Sequence, residues 1–125
     1  YANFEYHDLN LSTSQVPMGG RLTASVELVN SSAAAGEEVV QLYVRDLVGS
    51  VTRPVRELKG FKRVWLDPGE RRTIEFELHT DDLAFYGRDM QFKTEPGRFH
   101  LWVGGSSNAE LRAEFEVVDT VGEST

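Results

Sequence analysis

The chain has 125 residues, no cysteine, 13 Lys+Arg against 20 Asp+Glu, a formal charge of -7 and 40% hydrophobic residues, the make-up of one globular domain. The missing cysteines exclude a disulfide scaffold, thiol catalysis and thiolate metal sites, and no run of 18 apolar residues is present to span a membrane. A net negative charge also disfavours nucleic acid, whose non-specific affinity comes from many Lys and Arg neutralising phosphates.

The mass of 14.1 kDa is enough for a two-layer core without staples. The opening YANFEYHDL has neither the basic segment nor the apolar run of a signal peptide, so a mature or excised segment is expected. Cytoplasmic, periplasmic and secreted settings are all compatible. Charge is uneven: residues 1–44 have a net -4, residues 45–72 a net +4 and residues 73–125 a net -7. The basic segment fits an acidic protein surface or simply solvates one sheet face.

Period-two patterning dominates the chain, broken by Gly, Pro, Asn and Ser. The first expected strand covers 4–11 and ends before a turn at Pro17, Gly19 and Gly20. Next, Leu22, Ala24, Val26 and Leu28 share one face of a half-buried strand, with Thr23, Ser25 and Glu27 on the other. Residues 30–38 read as a turn. Val40, Leu42 and Val44 then point inward, opposite Gln41, Tyr43 and Arg45. After Asp46, the stretch LVGSVTRPVRE is turn-rich, and Pro54, which has no N–H, argues against a central strand. The segment 58–66 alternates imperfectly, as a bulge near Gly60 would make it do.

A turn at Asp67, Pro68 and Gly69 leads to inward Ile74, Phe76 and Leu78. Thr80 or Asp81 is expected to cap one helical turn that turns Leu83 and Phe85 or Tyr86 inward. A short strand at 91–94 follows, then Phe99, Leu101 and Val103 face in, and a turn over 104–108 precedes a last strand with Leu111, Ala113, Phe115 and Val117 inside. One domain over 1–118 and a mobile tail over 119–125 are expected. Seven or eight strands in this pattern make an all-β, two-sheet antiparallel β-sandwich of fibronectin type III or immunoglobulin kind. An OB-like or jelly-roll barrel is the alternative.

Chemistry-bearing patterns are sparse, and no catalytic residue, cofactor or metal ligand is assigned. His7, His79 and His100 sit in strand patterns as surface residues without a nucleophile motif. Asp81 and Asp82 invite comparison with a paired-carboxylate glycosidase, but local N–H pairing in a capped turn accounts for them more simply. No glycine-rich loop opens a helix to cradle phosphate. Trp102 and Tyr43 fall in the outward phase of their strands, and Trp65 is a third candidate for a surface aromatic. Such residues serve as protein-interface anchors, as rim packing, or as a platform for sugar. Two Asn-x-Ser sequons, at Asn10 and Asn30, permit glycosylation in a eukaryotic secretory host.

The runs GEEVVQLYVRD at 36–46 and VTRPVRELKGFKRVWLDPGERRTIEFEL at 51–78 closely resemble the C-terminal fibronectin type III-like domain of family 3 glycoside hydrolases, the β-glucosidase and β-xylosidase group. DLAFYG at 82–87, EPGRFHLWVGGSS at 95–107 and FEY at 4–6 extend the resemblance over nearly the whole chain. In that family the carboxylate nucleophile lies on a (β/α)8 barrel and the acid/base usually on an α/β domain, neither of which is present here. The resemblance therefore implies a non-catalytic accessory domain that packs against catalytic domains hydrolysing terminal non-reducing β-D-glycosides. The implied interface runs from Asp46 to Gly60, with Arg53, Pro54, Glu57, Leu58, Lys59, Gly60 and Phe61 matching the family motif. Tyr43, Arg56 and Trp102 join them as expected contact residues, although Trp102 stands where the family has a small aliphatic residue. Catalytic domains of the same polypeptide or complex are the expected partners, and direct sugar contact remains open. The rival classes are an independent carbohydrate-binding module and an adhesion or scaffold module.

Overall fold

A computed structural model describes residues 3–47, 56–83, 85–86, 92–93 and 96–119. Ten strands occur among them: β1 (Phe4–Leu11), β2 (Gln15–Pro17), β3 (Arg21–Asn30), β4 (Gly36–Asp46), β5 (Glu57–Leu66), β6 (Arg71–His79), β7 (Phe85–Tyr86), β8 (Phe92–Lys93), β9 (Gly97–Gly104) and β10 (Arg112–Val118). A 3-10 turn at Thr80–Leu83 separates β6 from β7.

Three strands in the order β1-β3-β6 form one sheet, five in the order β2-β10-β9-β4-β5 form the other, and β7 and β8 make a separate two-stranded ribbon. The two main sheets face each other as a β-sandwich. Their alternating inward residues merge into one core, in which Leu22, Ala24, Val26 and Leu28 of β3 meet Val40, Leu42 and Val44 of β4 and Phe99, Leu101 and Val103 of β9. These are the inward residues expected from period-two patterning. Phe99 and Phe115 stack at the centre, with ring centroids 5.2 Å apart.

Several local expectations change. The segment before Gly19 is a strand and not only a turn: Gln15–Pro17 pairs in parallel with β10, burying Val16. Three residues are too short for a periodic signal, and Pro17 is tolerated because β2 is a sheet edge. The final strand begins at Arg112, with Leu111 packed on the core just before it. The Thr80 hydroxyl accepts the Gly19 amide at 2.9 Å, tying the β2–β3 turn to the end of β6. Asp82, rather than Asp81, reaches back to accept the His79 amide at 2.9 Å, the reciprocal arm of a capping arrangement. The expectations for Arg53, Pro54 and the 120–125 tail, and for the side chains of Phe85 and Tyr86, lie outside the described residues.

The expected bulge is present. Leu42 pairs with Gly60 but Tyr43 pairs with Leu58, leaving Lys59 as the extra residue. Gly60 faces inward, where a β-carbon would sit 3.3 Å from Cδ1 of Phe76. On the same inner side, Lys62 crosses to the edge of the opposite sheet, donating to the Glu75 carbonyl and lying 5.4 Å from the Phe76 ring centroid. An inward-pointing lysine of this kind blunts a sheet edge.

Candidate interdomain surface

The expected contact residues divide between two faces of the five-stranded sheet and its edge. On the outer face, the register sets Tyr43 between Trp102 of β9 and Leu58 of β5. Trp102 does take the outward phase, but it is only 5% exposed, so its ring is packed within the domain rather than standing free at the surface. The Arg56 guanidinium lies 4.0 Å from the Trp102 ring centroid, and the His100 ring meets its edge at 5.6 Å. Arg56 also donates to the carbonyls of Ser107 and Ala109, both at 2.8 Å. Its charge is thus engaged within the domain, clamping the start of β5 to the β9–β10 turn. Alternation identifies the sheet face a side chain occupies; it does not say what folds over that face.

Other members of the set are also engaged. The Tyr43 hydroxyl donates to Oε1 of Gln41 at 2.5 Å, and Gln41 donates onward to the Gly105 carbonyl at 3.0 Å. Lys59, with a side chain 13% exposed, pairs with Glu57 at 3.4 Å. Asp46 is half-buried at the end of β4 and also interacts with its surroundings. Leu58 and Phe61, by contrast, project into solvent at 50% and 61% exposure, and so does Trp65 at 58%. Trp65 and neighbouring Arg63 lie beyond the segment that the family motif pointed to. The alternation of β5 after the bulge was the signal that could have placed both on the Phe61 face.

Electrostatic features elsewhere are structural. Burial, reinforced by its hydrogen bond to Glu38 at 2.7 Å, pushes the Tyr6 phenol far above its usual range. This contact links β1 of one sheet to β4 of the other. The Asp67 amide, followed by Arg72, holds the Glu70 carboxyl below its usual value, and His7, followed by Ser31, does the same for Glu5. His7 is exposed and partners Glu5. His100, expected at the surface, has a side chain only 17% exposed and lies 3.3 Å from Glu114. No group of three or more His, Asp or Glu is arranged to hold a metal among the described residues.

The two sequons differ sharply. Asn10 is exposed, its amide donating to the Asp8 carbonyl at 3.0 Å. Asn30 is wholly buried. Its nitrogen donates to the carbonyls of Ala34 and Leu66, while its oxygen accepts from the amide and hydroxyl of Ser32.

The chain is a two-sheet sandwich whose exposed large apolar side chains, among the described residues, lie on one edge strand. The chain belongs to the fibronectin type III-like domain family, whose pattern it matches over residues 38–107. It is 36% identical over 118 residues to a periplasmic β-glucosidase of Salmonella typhimurium, covering 94% of this chain and 15% of that protein. It is 43% identical to a β-xylosidase of Formosa agariphila, over 88% of this chain and 15% of the relative. Among solved structures, a β-glucosidase from Listeria innocua in complex with glucose superposes with a TM-score of 0.85 at 38% identity, over 94% of this chain and 16% of that one. A β-glucosidase involved in saponin metabolism from intestinal bacteria gives 0.87 at 32% identity, again over 94% and 16%. The chain thus spans about one sixth of the length of these glycosidases or slightly less.

Proposed function

We propose that this chain is the C-terminal, non-catalytic accessory domain of a family 3 glycoside hydrolase of β-glucosidase or β-xylosidase kind. It stabilises the catalytic domains that hydrolyse terminal non-reducing β-D-glycosides by packing against them. The observation that carries this reading is the extent of the match: 94% of this chain against 15% of a β-glucosidase. Its strand order, with an antiparallel three-stranded sheet opposing a larger sheet, supports a fibronectin type III-like sandwich as the finer fold. The domain spans 1–118, and the expected contact segment, Asp46 to Gly60, meets the catalytic domains through its described part at the start of β5. Its partners are the catalytic domains of the same polypeptide.

The decisive experiment is hydrolysis of an aryl β-glucoside by the 125-residue chain and by the longer polypeptide that carries it. Turnover is expected only in the longer protein. Turnover by the short chain, abolished by a single carboxylate substitution, would overturn the reading. Retention of the short chain on polysaccharide, together with an inactive longer protein, would favour a carbohydrate-binding module instead.

A further inference from the structure

The exposed large apolar side chains among the described residues, Leu58, Phe61 and Trp65, all lie on β5. The bulge at Lys59 puts Leu58 and Phe61 on one face although they are three residues apart: their cross-strand neighbours, Tyr43 and Gln41, both point outward. From Phe61 the strand alternates regularly, with Val64 and Leu66 buried and Phe61, Arg63 and Trp65 exposed. At the rise of a strand, Phe61 and Trp65 stand about 13 Å apart, with Arg63 between them. Arg63 makes no hydrogen bond or ion pair among the described residues. β5 is also an edge of the five-stranded sheet and is ten residues long, so an uncovered apolar row here would invite unwanted pairing.

We infer that the outer row Phe61–Arg63–Trp65 of β5, rather than Trp102 or Arg56, is the principal docking face of this module. Its occupant is a part of the same, longer polypeptide that offers an apolar hollow with a carboxylate opposite Arg63. The inference rests on the accessory-domain reading for the existence of that polypeptide. Relatives of which this chain covers only 15% supply ample chain to form such a surface. Charge complementarity selects its chemistry. Residues 45–72 have a net +4 within a chain of net -7, and between Leu58 and Trp65 the strand has no carboxylate. Tryptophan and arginine are the residue types that dominate interface energy when a neighbour excludes water from them. A second copy of this chain is a poorer occupant, since a two-fold contact centred on the row would set Arg63 against itself.

The test uses the longer polypeptide with a photoreactive benzoylphenylalanine in place of Phe61, and oxidative footprinting of the unsubstituted protein. A cross-link into the same polypeptide outside these 125 residues is expected, with Trp65 modified within about twofold of the rate of buried Trp102. A cross-link to a second copy, no cross-link, or modification of Trp65 roughly tenfold faster than Trp102 would overturn the assignment. Arg63→Glu should lower the melting temperature of the longer protein and Arg63→Lys should largely preserve it; equal behaviour of the two would remove the proposed carboxylate. Glycosidase activity separates the two claims. An active protein without the cross-link leaves the accessory-domain reading intact and sinks this surface, whereas an inactive protein that cross-links does the reverse.

Discussion

Asn30 shows how much one side chain holds. Its amide uses both donors and both acceptor directions, joining the end of β3 to the turn before β4 and to the last carbonyl of β5. Its backbone also bonds to Glu70 and Gly69, in the turn that leads into β6. Asn30→Asp would replace a double donor by a carboxylate facing two carbonyls. A cost of about 3 kcal/mol or more is expected, because a buried charged group then lacks partners. An unchanged urea midpoint would refute the hub. The same geometry makes Asn30 unmodifiable once folded and leaves Asn10 able to take a glycan. Trp102 makes the complementary point. Trp102→Ala should cost roughly 3–5 kcal/mol, as a buried aromatic does and a surface aromatic does not. A loss well below 1 kcal/mol in chemical denaturation would mean that the Arg56 clamp does not hold the ring.

At the scale of elements, the β9–β10 hairpin depends on close approach at Gly104. A β-carbon there would sit 2.5 Å from the Cβ of Ala109, and the neighbouring Ala109 carbonyl is one of the two that hold Arg56. Gly104→Ala should therefore loosen the hairpin and the start of β5 together, costing roughly 1–3 kcal/mol through overpacking. Amide exchange should rise in both places; a rise confined to the hairpin would show that the clamp tolerates the shift. The bulge in β5 was legible because Leu58, Gly60 and Phe61 could not satisfy strict alternation. β2 was not legible, because three residues carry no period and its partner, β10, lies about a hundred residues later in the chain.

The two sheets are joined at one end through Tyr6 and Glu38, and this affects the stability of the whole molecule at high pH. The folded state raises the phenol's pKa, chiefly by burial and then by the hydrogen bond to Glu38, so folding favours the protonated form. The contribution is complete below about pH 10, the unperturbed tyrosine value, and is lost as pH climbs from there toward the raised folded value. Denaturant titrations on either side of that value should show the parent protein losing more stability than Tyr6→Phe; parallel losses would mean that folding does not raise the phenol's pKa.

The sequence alone determined the inward half of nearly every strand, because alternation of apolar and polar side chains is a local consequence of the strand's two-residue repeat. It also determined the sandwich class and the basic segment, and the motif order led to the hydrolase resemblance. Only the tertiary structure decided which outward residues meet water. Trp102 and Trp65 take the same outward phase, yet one lies under an arginine that precedes the edge strand β5 and the other stands exposed on that edge. That difference comes from contacts between residues distant in the chain, which no local period encodes.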